Sequence, residues 1–394
     1  MSTPAELRTA RGRGTPQVTL VPEQQDRPVP GRSFPVADAW APAFDAVPRE
    51  LFLPDLVWAH DMATGTSRSV DRCVDEAGWR AVAAADVPIV TQWDDGAHRG
   101  VEPGTVPTSS ASMPSLVAAM LDDLRVEPGM RVLEQGTGTG WNAALLAHRL
   151  GDANVTTIEI DPQVCARART ALERAGYRPR VVRGDGALGR QDGAPYDRIT
   201  VTYGLRAVPR AWVEQTRPGG LILAPFGTHY SNADALARLT VHGDGTASGP
   251  FLRPVEFMKM RAQRLRWPQN PAAGGTVAET TTAAVLPPHG RFDPFPFAAG
   301  LRLRDVVHAI QPHDDGARTL WLYSLTAPAW AAATFRDGEE AHPVRQYGAR
   351  RLWEDFEQTL TWWHEAGEPG VERLGLTVTP HGWHAWLDDP AQPL

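Results

Sequence analysis

The chain has 394 residues, 42% of them apolar and 22% charged, which excludes a wholly disordered chain and gives room for about two or three domains around a large core. Its net charge of −7 lacks the basic footprint of a dedicated nucleic-acid binder, and Lys259 is its only lysine. Two cysteines, Cys73 and Cys165, exclude a disulfide scaffold and a cysteine-rich zinc site. The twelve histidines fall into no ligand pattern, so no metal is expected. No apolar run approaches the ~18 residues of a membrane span, and Met1–Gly14 carries arginines without an apolar stretch. A cytoplasmic protein with no membrane or nucleic-acid partner is expected.

Residues 1–35 are rich in Pro, Gly and Arg without periodicity and read as a flexible arm, or as a segment ordered by a partner. Pro114–Leu124 reads as a helix with Leu116, Met120, Leu121 and Leu124 on one side. Met130–Glu134 is a short apolar run ending in a glycine-rich turn, followed by a helix over Asn142–Leu150. After the β-branched run Val155–Ile160, Asp161 and Pro162 supply an N-cap and a first-turn proline for a helix ending at Gly176. Val181–Val182, Asp197–Thr202 and Leu221–Phe226 continue the series. Strands alternating with helices predict an α/β, doubly wound, Rossmann-like parallel sheet. Ala235–Val241 and Phe251–Phe257 around a Gly-Asp-Gly turn predict an antiparallel hairpin that closes it.

Residues 263–289 read as a linker, small, polar and proline-bounded. Residues 290–394 hold seven of the fourteen tryptophans and read as an appended small α+β domain whose tryptophans form core rather than a cofactor box. Within it, Arg350–Ala366 places Leu352, Phe356, Leu360 and Trp363 at helical spacing, and Leu374–Thr379 with His384–Leu387 form a hairpin. The expected domains are therefore 36–262 and 290–394.

The strongest chemical signal is the strand–loop–helix segment Glu134-Gln135-Gly136-Thr137-Gly138-Thr139-Gly140. Glycines admit close approach of a ligand to the backbone, and the helix start offers free N–H groups. The third glycine of a dinucleotide fingerprint would fall at 141, where Trp141 stands. The E-x-G-x-G-x-G form instead resembles the first motif of doubly wound S-adenosylmethionine-dependent methyltransferases, whose acidic opener suits a cationic cofactor. Glu159 ends the next strand, where a carboxylate can accept ribose hydroxyls, or stand as a solvated strand-end acid. Asp185, in Gly184-Asp185-Gly186, ends the third strand, where it can accept an adenine amino group or serve only the turn. Ile160 and Tyr203 complete the expected cofactor set.

The ordered set of motifs over residues 40–262 resembles the protein-L-isoaspartate O-methyltransferases. It comprises Phe44–Pro54 (FDAVPRELFLP), Ser110-Ala111-Ser112-Met113-Pro114, Gly184–Gly186, Tyr196–Phe226 and Phe251–Phe257. The stretch 59–108 is longer than the family segment, Tyr203-Gly204 replaces small alanine-rich residues, and residues 263–394 are expected to have no counterpart in the repair enzymes. The tail, through Val344–Gly348, Arg351–Trp353, Leu374–Thr379 and Trp386–Pro390, resembles methyltransferases encoded with ATP-grasp peptide ligases. That resemblance implies methylation of one aspartate of a ribosomally made, macrocyclised (graspetide) peptide, which then closes to an aspartimide. The implied partners are the macrocyclic precursor and its ATP-grasp ligase. Ser112, with Ser110, is the candidate catalytic pair, holding the acceptor carboxylate in line; helix capping ahead of Pro114 is the structural alternative for both. Two other readings remain open: repair of isoaspartate in damaged proteins, and a non-catalytic peptide-binding scaffold.

Overall fold

The computed structural model describes residues 34–265, 277–290 and 292–394. Most of the expected arm, and the middle of the expected linker, lie outside the described residues. The elements in chain order begin with α1 (Ala41–Ala46), β1 (Leu56–Asp61), β2 (Thr66–Asp71), α2 (Glu76–Ala84), β3 (Ile89–Trp93), β4 (Pro107–Ala111) and α3 (Pro114–Asp123). Next come β5 (Val132–Gln135), α4 (Trp141–Leu150), β6 (Val155–Glu159), α5 (Pro162–Arg174), β7 (Arg180–Arg183), β8 (Tyr196–Val201), α6 (Arg210–Gln215), β9 (Thr216–Gly227), β10 (Asp234–Val241) and β11 (Ala247–Val255). The C-terminal third adds β12 (Ala278–Thr282), α7 (Pro294–Arg302), β13 (Val306–Pro312), β14 (Arg318–Ser324), β15 (Trp330–Phe335), β16 (His342–Tyr347), α8 (Leu352–Glu365), β17 (Leu374–Thr379) and β18 (Gly382–Leu387).

The central sheet runs β18-β17-β11-β10-β9-β8-β5-β6-β7. Strands β9, β8, β5, β6 and β7 are parallel, and β5 and β6 are buried along their whole length, as strands covered on both faces must be. The chain moves outward from β5 through β6 to β7, then returns to the other side of β5 for β8. The strand order therefore reverses between β5 and β8, where such sheets leave a crevice at their carboxyl ends. The local signals act as expected. Asp161 caps α5, its carboxylate accepting from the Gln163 and Val164 N–H groups at 2.9 and 3.0 Å, and Pro162 occupies the first turn.

Residues 56–111 build a second, antiparallel sheet, β2-β1-β3-β4, with Trp79 of α2 buried against it. The tail is joined to the central sheet. A five-stranded antiparallel sheet, β12-β16-β15-β14-β13, does form with α7 and α8 beside it. The final hairpin, however, leaves that sheet and pairs β17 with β11, Gly249 opposite Leu376. Without β17, the edge of β11 would present unpaired N–H and C=O groups. The apolar core is also continuous: Phe226 and Phe251 of the central sheet join Phe297, Phe356 and Trp363 of the tail. Phe251 lies edge-on to Phe297 at 4.8 Å between ring centroids.

Candidate active site

The crevice predicted by topology is present as a cleft of about 170 Å³. Its floor is the loop after β5. The Gly136 and Thr137 N–H groups both donate to Ile158 O, at 2.9 and 3.1 Å, so the loop folds back over the end of β6. Gly136 has φ +93°, and a side-chain carbon there would stand 2.5 Å from Thr202 Oγ1 and 2.8 Å from the Tyr203 ring. Only glycine fits. Thr202, which the sequence reading passed over, donates from its hydroxyl to Gly136 O at 2.6 Å and fixes the loop against the end of β8.

Of the expected cofactor residues, Gly136, Thr137, Gly138, Thr139, Glu159, Ile160, Asp185, Gly186 and Tyr203 line the cleft. Glu134, Gly140 and Gly184 are not among the lining residues. Glu134 is fully buried; its two oxygens accept from Asn142 Nδ2 at 2.7 Å and Thr157 Oγ1 at 2.5 Å. It braces the loop from behind, and burial pushes its carboxyl up to about 7. Gly140 is the N-cap of α4, packed against Leu172 of α5. Gly184 donates its N–H to Glu159 O.

Glu159 is 9% exposed. One oxygen accepts from Gly138 N–H and the other from Asp161 N–H, each at 3.0 Å. Burial raises its pKa, opposed by these two hydrogen bonds. A carboxylate has about four lone-pair positions, so two remain for hydroxyl donors. Asp185 uses one oxygen to cap the following turn through Ala187 N–H at 2.9 Å, so its turn role and its place on the cleft wall coexist. Ile160, 47% exposed, offers an apolar face at the rim.

Ser110 and Ser112 form part of the same wall. The N-cap of α3 is Met113, with no side-chain cap, and Asp86 reaches in to accept from Ser115 N–H at 2.8 Å. The capping alternative for Ser112 is thereby corrected: its hydroxyl has no hydrogen-bond partner among the described residues. The residue that positions this segment is Arg49 of the VPRE signature. Its guanidinium donates to Ala111 O, between the two serines, at 2.8 Å, and to Val87 O at 2.9 Å and Ala85 O at 3.2 Å. Burial lowers its pKa to about 9. The other rim is the segment after β11. Arg261 pairs with Asp161 at 2.9 Å and with Asp95 at 3.0 Å, and Arg264 pairs with Asp95 at 2.8 Å. These rim residues carry no motif and were not legible beforehand. Among the described residues no group of three or more His, Cys, Asp or Glu could hold a metal ion, and no helix is long and apolar enough to cross a membrane.

Ser110, Ser112 and Lys259 also line a second cavity of about 1190 Å³ beside the cleft. Its walls come from the β1–β2 hairpin at His60 and Ser67, from the central domain at Arg206 and Tyr230, and from the tail at Phe292 and His308. His308 stacks on Tyr230 at 4.4 Å between centroids and is desolvated to a pKa of about 4.

A reversed-order parallel sheet, a glycine loop at the reversal and acids on the next two strand ends define a doubly wound nucleotide-type site of the methyltransferase class. Residues 94–264 match the family model "Protein-L-isoaspartate(D-aspartate) O-methyltransferase (PCMT)". A protein-L-isoaspartate O-methyltransferase of Thermococcus onnurineus is 46% identical over 132 residues, 33% of this chain and 60% of that protein. A protein-L-isoaspartate O-methyltransferase 2 of a Polaromonas species is 41% identical over 154 residues, 39% of this chain and 72% of that protein. The chain belongs to the protein-L-isoaspartate O-methyltransferase family. It spans about three fifths of the length of the archaeal Thermococcus and Pyrococcus relatives.

A solved protein-L-isoaspartate O-methyltransferase superposes with a TM-score of 0.50 at 24% identity, covering 90% of this chain and 96% of its own. Coverage that wide includes most of residues 263–394. The expectation that the tail has no counterpart among such proteins is therefore corrected at the level of fold. The cofactor of the family is S-adenosylmethionine, and the cleft fits it: a loop bare of side chains at Gly136, a buried carboxylate with two lone-pair positions left, and a second acid beside an apolar rim.

Proposed function

We propose that the chain is an S-adenosylmethionine-dependent carboxyl O-methyltransferase acting on an aspartyl-type carboxylate of a peptide. The observation that carries this reading is that Ser110 and Ser112 line both the Glu159–Asp185 cleft and the much larger second cavity beside it. When bound, S-adenosylmethionine supplies an electrophilic methyl group. Glu159 would hold its ribose, Asp185 its adenine amino group, and the Gly136–Thr139 backbone its amino-acid end. The chain's own work is placement. An aspartyl carboxyl, with pKa near ~3.9, is ionised at neutral pH, so no residue is assigned as a base. Ser110 and Ser112 donate to the acceptor carboxylate and hold one oxygen in line, while the Arg261–Asp161 and Arg264–Asp95 pairs hold the rim over the cleft and keep water out.

The finer reading is that the acceptor is an ordinary aspartate of a ribosomally made, macrocyclised peptide supplied by an ATP-grasp ligase. In such a product the next residue's backbone nitrogen attacks the ester carbonyl, methanol leaves, and an aspartimide remains. The size of the second cavity and its three walls support this, because a preorganised ring loses less entropy on entering a large site than its linear form. The repair reading, with an isoaspartyl peptide as acceptor, is favoured by the superposition that reaches into the tail. A competition assay between a linear isoaspartyl peptide and a cyclised precursor, read by mass spectrometry, decides between them. Preferential esterification of the cyclised peptide is expected; a win for the isoaspartyl peptide replaces the finer reading with repair.

A further inference from the structure

The wall between the cleft and the second cavity contains the chain's only lysine. Lys259 follows β11 and lines both spaces. Its side chain is 8% exposed and pairs with Asp234, whose side chain is fully buried at the start of β10. Asp234 Oδ2 takes the ammonium, and Oδ1 has no hydrogen-bond partner among the described residues. Arg206, 8% exposed, lines the second cavity. Its Nε donates to Gln263 O at 3.1 Å, while Nη1 is buried with no partner among the described residues. Burial lowers the pKa of both Arg206 and Lys259, and the charge of Asp234 opposes both shifts. Two buried cations thus stand near one fully buried anion, with the Glu256 carboxylate acting on Asp234 and Lys259 as well.

Gly204 makes the arrangement possible. A side-chain carbon at 204 would stand 2.8 Å from Asp234 Oδ2 and 3.0 Å from Lys259 Nζ. Burying a guanidinium nitrogen without a partner is costly. A wall that keeps one beside a paired lysine is built for an incoming anion. Glu256, an exposed carboxylate, and His229, whose pKa burial lowers, line the same cavity, as do His60, Tyr230, Arg264 and His308.

We infer that Arg206 and Lys259, arranged around Asp234, form a subsite for a second, non-reacting carboxylate of the acceptor peptide. The reacting carboxylate is a poor occupant. It loses its charge as the ester forms, so a cation on it would stabilise the ground state more than the transition state. A neighbouring acidic side chain or a chain-terminal carboxylate keeps its charge throughout and gains a charge-assisted hydrogen bond from Arg206. The inference rests on the carboxyl-methyltransferase reading and makes the enzyme selective for acidic peptides.

The test is calorimetric titration, with S-adenosylhomocysteine present, of three short isoaspartyl peptides: one with an adjacent glutamate and an amidated end, one with glutamine and an amidated end, and one with glutamine and a free C-terminal carboxylate. The wild type should bind the glutamate peptide about tenfold or more tightly than its amidated glutamine counterpart. If the free terminus restores tight binding, the subsite accepts a chain end; if it does not, the subsite is specific for a side chain. Arg206→Gln should abolish the discrimination and Arg206→Lys should restore part of it. Because Lys259→Met alone strands a buried carboxylate, it is made together with Asp234→Asn, and that pair should also abolish the discrimination. Equal affinities in the wild type, or discrimination that survives both variants, overturns the inference. Charge-dependent binding, with no ester on either the isoaspartyl or a cyclised peptide when S-adenosylmethionine replaces S-adenosylhomocysteine, keeps the subsite and refutes the methyl-transfer reading instead.

Discussion

Replacing Glu159 by glutamine tests the cofactor site with almost no change of shape. In the native cleft its two oxygens each accept one backbone N–H, from Gly138 and from Asp161. The amide keeps one acceptor oxygen and turns the other position into an NH2 group, so one of these N–H donors faces another donor. At least one of the two hydrogen bonds left for ribose hydroxyls disappears as well. A hydrogen bond to a charged acceptor contributes about 1.5–3 kcal/mol, so S-adenosylhomocysteine should bind about ten- to hundredfold more weakly. Calorimetric titration measures the affinity, and a thermal melt of the same sample separates lost binding from lost fold. Unchanged affinity in both Glu159→Gln and Asp185→Asn would refute the assignment of this cleft to the cofactor.

Ser112→Ala should lower turnover about tenfold, the worth of one hydrogen bond in the transition state, with S-adenosylhomocysteine affinity unchanged; steady-state kinetics showing full turnover would leave the hydroxyl without an aligning role. Glu134 holds its proton up to about pH 7 in the folded protein and to about 4.3 when unfolded, so the native state binds more protons between those values and stability falls as pH rises through them. The loss is about 4 kcal/mol, and urea titrations of wild type and Glu134→Gln should show it in the wild type only. Leu376→Ala, at a fully buried site in β17, should cost about 2–5 kcal/mol and shift one cooperative transition. Two separate transitions would refute the continuity of the tail with the central core.

The sequence by itself determined the elements whose causes are local. Asp161 and Pro162 start α5, the β-branched run ends at Glu159, and Gly136–Gly140 shape the turn between a strand and a helix. Each needs only its neighbours along the chain, so each was legible, as was the place of Glu159, Asp185 and the two serines at one site, which the structure gathers on one cleft. Whether a residue touches the cleft or stands behind it was not legible. Glu134 and Glu159 read alike as strand-end acids, but Asn142 and Thr157 occupy the first, while the second faces the cleft. The capping of α3 by Asp86 and the grip of Arg49 on Ala111 O cross 29 and 62 residues, distances over which no periodicity carries information. Tertiary structure alone carried the last hairpin away from its neighbours in sequence to the free edge of β11, because an unpaired edge and an exposed Phe251 could be satisfied there. It also gathered Arg206, Asp234 and Lys259 at one point from three different loops and strand ends. Burial and charge balance at such a point are properties of the closed chain, and no segment of the sequence contains them.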